Sequence, residues 1–374
     1  MHNRRHFLKA LGLLAAAPML NAQGAASKDA SSVQRLYRDA TVIDGNLVID
    51  FDEQGLSADA IAAIRRSGLT AFKNSIAGAQ GSYTDALQEI KDLLGLIAHH
   101  PDLLMQIQSA DDLTLAKRSG RTGIIFSFEA SSVLEGKLER IEEFSGHGVR
   151  VMQLCYNLPS PFASGVLSPQ PSSGLTALGR EAVARMNALG VSIDLSHADA
   201  KSSLDAIRVS KRPVLITHAG CRAVYAHPRN KADQELRAVA QSGGVVGIYD
   251  LPYLSAGPAQ QDLSIYLAHL THALTVCGED HVGIGSDSIL TGFDTSPASM
   301  ASYLQTVAAR KAAGIGAPGE ERPPYVVGLN RSDRCEVIAN GLLGKGYPPS
   351  VVDKVLGANF ARGFRETWTS SGAA

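Results

Sequence analysis

Eight short runs of β-forming residues, each separated from the next, constrain this chain more than any other feature of its sequence. They lie at Thr41 to Ile49, Leu69 to Ile76, Thr122 to Phe128, Val149 to Tyr156, Val191 to His197, Pro213 to His218, Val245 to Asp250 and His281 to Asp287. Between most of them apolar residues recur at helical spacing, over Ala58 to Arg66, Tyr83 to His99, Leu134 to His147, Gly179 to Leu189, Ala200 to Val209, Lys231 to Gln241 and Leu263 to Cys277. Such alternation calls for a parallel sheet with right-handed crossovers. Eight units in 374 residues fit a closed TIM-like (β/α)8 barrel better than an open doubly wound sheet. No glycine-rich dinucleotide or phosphate fingerprint follows the first run, which weakens the open-sheet alternative further.

Composition excludes some partners. The chain carries 35 Lys and Arg against 36 Asp and Glu, and no basic stripe with interleaved aromatics marks a nucleic-acid surface. Its four cysteines, Cys155, Cys221, Cys277 and Cys335, form no CxxC pair and read as buried thiols. Residues 1–30 read as a removable leader. Arg4 and Arg5 precede Phe7-Leu8-Lys9, then an apolar stretch from Ala10 to Leu20 and small residues near Ala22 to Ala26, as in a twin-arginine export signal. That predicts a periplasmic protein whose residues 31–374 form one barrel domain without a membrane span.

The carboxyl ends of the predicted strands carry the chemistry. In order they present Asn46, Lys73 with Asn74, Glu129, Tyr156 with Asn157, His197, His218, Tyr249 with Asp250, and Asp287. A parallel barrel gathers such ends at one mouth. Glu129 with His197 and His218 is a zinc-type ligand set, and Asp287 adds a second carboxylate. One strand-end histidine is commonly a satisfied core residue, but two at equivalent places beside a glutamate point to a metal of the metallo-dependent hydrolase type. The Pro- and Ser-rich stretch Leu158 to Ser173, with Phe162, reads as a loop over the mouth, and Gly314 to Pro324 as a second one.

Several ordered motifs resemble the membrane dipeptidase (renal dipeptidase) family of zinc hydrolases. They are Asp194-Leu195-Ser196-His197, Thr217-His218-Ala219-Gly220, His227-Pro228-Arg229-Asn230, Gly243-Gly244-Val245-Val246-Gly247 and His281-Val282-Gly283-Ile284-Gly285-Ser286-Asp287. Val42-Ile43-Asp44-Gly45, Gly174-Leu175-Thr176 and Gly357-Ala358-Asn359-Phe360 extend the likeness over most of the chain. The resemblance implies a binuclear zinc barrel, commonly dimeric, that hydrolyses dipeptides. It makes Glu129 the bridging carboxylate, His197 and His218 the other ligands of one metal, Asp287 the proton shuttle beside the bridging water, and Arg229 the clamp on the substrate's terminal carboxylate. The helix-entry context His227-Pro228 leaves a surface ion pair open as the alternative for Arg229.

Two departures stand out. Where the family's first strand ends in a His and an Asp that bind the second zinc, this chain has Asn46 and Val48. Where the family places a histidine on the substrate oxyanion, it has Tyr156. One zinc per chain is therefore expected rather than two, with three ligands and an open position. Lys73 is expected to snorkel at the barrel rim, although its ammonium also suits the volume of the missing ion. The reading is a zinc-dependent hydrolase of a dipeptide or similar small amide. The same barrel acting on a modified peptide or a lactam, or kept as a binding or maturation protein without turnover, are the alternatives.

Overall fold

The computed structural model describes residues 33–51, 55–257 and 259–369, so the predicted leader lies outside the described residues. Eight parallel strands close on one another. They are β1 (Ile43–Asp44), β2 (Ala71–Ile76), β3 (Thr122–Phe128), β4 (Val149–Gln153), β5 (Ser192–Asp194), β6 (Leu215–Cys221), β7 (Val245–Ile248) and β8 (Val282–Ile284). Each pairs with the next, and β8 pairs with β1, with Asp44 opposite Ile284, to complete the ring. The expected TIM-like (β/α)8 barrel is thus the observed fold.

The helices between the strands start where side chains cap them. Ser57, Ser82, Thr176, Asp199 and Asp262 each accept a backbone N–H from the first turn of the helix that follows, which satisfies donors left over at a helix start. Their buried faces cover the outside of the barrel. Inside, Ile43, Ala71, Ile125, Val151, Leu215 and Val245 meet Phe360 and Phe364 of the helix Asn359–Thr367. This closing helix stoppers the amino-terminal end of the barrel, so the carboxyl end is left for chemistry.

Higher up, the interior narrows to backbone. A Cβ on Gly247 would lie 2.1 Å from the Thr217 carbonyl oxygen, and one on Gly285 only 1.8 Å from it. Both positions therefore require glycine for close approach. Strand β6 is drawn toward the barrel axis there, one residue before His218.

Several boundaries differ from the sequence expectation. His218 and Lys73 lie inside β6 and β2 and not at their ends. Strand β6 runs past His218 because Gly220 and Cys221 pair with a short strand at Asn230–Lys231. The helix expected from Leu134 is a 3-10 turn at Ser131–Leu134 followed by a helix at Glu139–Gly146. A three-residue strand at Leu104–Gln106 and the helices Ala110–Ser119, Pro297–Ala312 and Arg334–Gly344 were not foreseen. All four cysteines are buried and free. No helix among the described residues is long and apolar enough to cross a membrane.

Candidate metal centre

Two buried aspartates shape the strand ends that carry the site. Asp194, which ends β5, accepts the N–H and hydroxyl of Ser196 and the N–H and hydroxyl of Thr217. It thereby ties the turn into His197 to the strand that carries His218. Asp44, which ends β1, does the same on the other side. It accepts from the N–H of Asn46 at 3.1 Å and from the N–H and hydroxyl of Ser286 at 2.8 and 2.6 Å. Burial raises the Asp44 carboxyl, against the pull of Ser286 and Arg334.

Glu129, His197 and His218 converge. Their ligating atoms all lie within 4.8 Å of one another, and the two Nε2 atoms are 3.1 Å apart. The far ring nitrogens are engaged elsewhere: His197 Nδ1 is 2.8 Å from Asn157 Oδ1 and His218 Nδ1 is 3.0 Å from Thr217 Oγ1. An amide oxygen can only accept, so His197 carries its proton on Nδ1 and turns a lone pair inward from Nε2. Burial, then Arg229, hold both imidazoles well below their ordinary pKa. Neutral nitrogens and one carboxylate oxygen fit a single divalent ion of the zinc type.

The residues at the expected second-ion position do not supply its His and Asp ligands. The Asn46 carboxamide nitrogen lies 2.6 Å from Glu129 Oε1 and 2.6 Å from Asp287 Oδ1, donating to both carboxylates and offering no lone pair between them. Val48 is 39% exposed and has no donor atom. Lys73 is fully buried, which overturns the rim expectation. Its side chain shares the interior with Ser127, whose hydroxyl accepts from Nζ at 3.2 Å. The Lys73 charge favours the ionised form of Asp287.

Asp287 sits beside the ligand cluster, with Oδ2 4.0 Å from His218 Nε2. Burial and then Glu129 push its carboxyl up to about 7, against Arg229, Lys73 and the Asn46 hydrogen bond. A carboxyl that titrates near neutrality can take and return a proton at working pH. Its backbone has φ of 55°, a conformation that costs a non-glycine residue about 1–3 kcal/mol and persists only where the surroundings hold it. The Asp287 N–H donates to the Asn46 carbonyl at 2.7 Å.

Arg229 is 2% exposed, so the surface ion pair that its local sequence left open is not what forms. One terminal nitrogen donates to the Ser196 carbonyl at 2.6 Å and the other lies 3.0 Å from His197 Nε2. Tyr156 stacks on His197, ring centroids 4.0 Å apart. Both border a cleft of about 170 Å³ that also reaches Asp287. Its outer wall is not the Leu158–Ser173 loop, which packs against the end of β5 through the Val166 N–H and the His197 carbonyl. The wall is the unforeseen helix Pro297–Ala312, through Tyr303, Val307 and Arg310, together with Glu320 and Pro324 from the second expected loop. Arg310, Glu320 and Tyr253 line the cleft and were passed over by the sequence reading, which placed Asn157 at a strand end without a role.

Known proteins share this architecture. The membrane dipeptidase (peptidase family M19) model matches residues 48–302. A Klebsiella pneumoniae protein described only as uncharacterized, in the pqqA 5' region, is 31% identical over 290 residues, covering 75% of this chain and 95% of its own. The dipeptidase tcpJ of Claviceps purpurea is 29% identical over 76% of this chain and 60% of its own. Among solved structures, an amidohydrolase from Pseudomonas aeruginosa superposes with a TM-score of 0.79 at 28% identity, over 90% of this chain and 99% of its own. A family model matched over most of the chain, on a barrel with a buried Glu-His-His cluster, identifies the protein as a metal-dependent hydrolase that belongs to the membrane dipeptidase family, peptidase family M19.

Proposed function

We propose that the chain is a zinc-dependent hydrolase of dipeptides or similar small amides, with one zinc per chain, exported to the periplasm by its twin-arginine leader. The convergence of Glu129, His197 and His218 within 4.8 Å beside Asp287 carries this reading. A zinc ion held there supplies a Lewis acid for the scissile carbonyl and a water of lowered pKa. The rest of the work falls to the chain. Asp287 accepts a proton at its carboxylate and returns it to the leaving amine, which its raised pKa suits. Arg229, planar and rigidly held, presents N–H groups to the substrate's terminal carboxylate. Tyr156 donates a hydrogen bond from the cleft wall. A narrow cleft beside the cluster favours a substrate of two small residues over a longer chain.

The test is metal content together with turnover. Zinc-reconstituted protein is expected to hold one ion per chain, lost in Glu129→Gln and His197→Ala, and to hydrolyse members of a panel of L,L and L,D dipeptides. Absence of bound metal after reconstitution would sink the metallohydrolase reading. The altered first strand and the Tyr156 wall favour, as the second reading, a modified peptide or lactam. Metal binding with turnover of such an amide and of no dipeptide would select it.

A further inference from the structure

The Tyr156 hydroxyl faces an arginine. Arg310, in the helix Pro297–Ala312, donates from Nη2 to Tyr156 Oη at 3.2 Å. A guanidinium carries donors only, so the phenol oxygen must accept in this contact and its own proton must point elsewhere. Among the described residues no acceptor takes that proton. The ring lies stacked on His197 at the border of the cleft, so the open direction for the O–H is the cleft itself.

Arg310 is itself fixed from behind. Glu320 accepts its Nε at 3.0 Å and its Nη2 at 2.9 Å. Glu320 is 5% exposed and also accepts the Tyr253 hydroxyl at 3.0 Å and the Ala317 N–H at 2.9 Å. The carboxylate thus holds the guanidinium plane, and the guanidinium holds the phenol rotor. Hydrogen bonds linked in this way polarise one another in a low-dielectric interior.

We propose that Arg310 is a positioning residue that turns the Tyr156 hydroxyl into a dedicated donor for the oxyanion forming on the scissile carbonyl. The inference rests on the amide-hydrolase reading and adds a part to it. A phenol alone has a freely rotating proton and no charge behind it; the Glu320, Arg310 and Tyr156 chain removes the first defect and reduces the second. Donors aimed where charge develops favour the transition state over the ground state. The interaction must therefore discriminate between a tetrahedral anion and a planar amide.

The experiment measures binding by calorimetry to zinc-loaded wild type, Arg310→Met, Arg310→Lys, Tyr156→Phe and Arg310→Met/Tyr156→Phe. The probes are a phosphinate dipeptide, as the tetrahedral anion, and a non-hydrolysed planar dipeptide analogue. Arg310→Met is expected to weaken phosphinate binding about tenfold to a hundredfold, somewhat less than deletion of a whole oxyanion donor. The planar analogue should stay within about threefold. Arg310→Lys keeps a charge beside Glu320 but lacks the fixed second N–H, so it should lose the same discrimination, and it serves if the methionine variant does not fold. In the Tyr156→Phe background the Arg310→Met loss should vanish. Equal losses with and without Tyr156 would assign Arg310 to the cleft wall alone and overturn the proposal, as would unchanged phosphinate affinity in Arg310→Met and Arg310→Lys. If wild type binds neither probe, the amide-hydrolase reading falls and this inference falls with it. Normal wild-type binding with no Arg310 effect sinks the inference alone.

Discussion

Asn46 and Asp287 are tied to each other twice, once by the Asp287 N–H on the Asn46 carbonyl at 2.7 Å and once by the Asn46 carboxamide on the Asp287 carboxylate at 2.6 Å. The same amide nitrogen holds Glu129. One neutral residue therefore holds the strained backbone of Asp287 with its carbonyl and bridges two acids with its amide. Asn46→Leu removes both carboxylate bonds, each worth about 1.5–3 kcal/mol. A loss of about 3–6 kcal/mol in the urea unfolding of metal-free protein is expected at pH 7.

Asn46→Asp changes the ion count instead. A third carboxylate between Glu129 and Asp287 replaces a donor by ligand oxygen, so zinc content by elemental analysis should rise from one toward two per chain. Wild type already holding two would show that the amide does not exclude the second ion.

Lys73→Met keeps the volume and removes the buried charge. Lys73 favours the ionised form of Asp287, so its loss should move the acid limb of the kcat profile to higher pH while zinc content stays at one. An unmoved limb would place the Lys73 charge outside the working site.

The buried histidines should make the metal-free protein lose stability as pH falls below about 6.5. Burial pushes His269 down to about 4 and His227 likewise to about 4, and holds His197 and His218 well below their ordinary value. Unfolded imidazoles take up a proton near 6.5. Between about pH 6.5 and 4 the unfolded chain binds more protons, so stability present above that window is lost as pH falls. His269 accepts the Cys221 N–H at Nδ1 and donates to the Leu254 carbonyl from Nε2. It should contribute about 2–3 kcal/mol of that loss. His269→Gln, compared with wild type by urea midpoints at pH 7 and 5, should flatten the dependence.

Glycines divide by their surroundings. Gly285→Ala drives a Cβ to 1.8 Å from the Thr217 carbonyl and should cost about 3 kcal/mol or prevent folding. Gly95→Ala, in the helix Tyr83–His99 with no atom within 4 Å of its Cβ, should stabilise by about 0.5–1 kcal/mol. Equal effects would remove the argument that β6 crowds the axis.

The barrel and the Glu-His-His cluster could be read from the chain because both rest on local pattern. Short β runs repeat, Glu129 and His197 follow strand ends closely, and His218 lies within β6 near the same mouth. Lys73 was expected at the rim although its strand was expected to reach Ile76, as it does; three further strand residues keep its side chain inside the barrel. The helix Pro297–Ala312, which follows the last barrel strand, was not foreseen; it barely touches the core, with only Val307 along it buried. Arg310 and Glu320 escaped notice with it. Asn157, which sets the His197 tautomer, adjoined a predicted strand end, but nothing in its spacing marks it as the histidine's partner.

That late helix has a wider consequence. The candidate metal ligands belong to the barrel, whereas much of the outer wall of the cleft belongs to a segment that follows the last barrel strand. Mutation there can reshape the chamber without disturbing the ligands or the main stability of the ring. A lineage can thus change its diet by revising one peripheral stretch while inheriting the reactive centre unaltered.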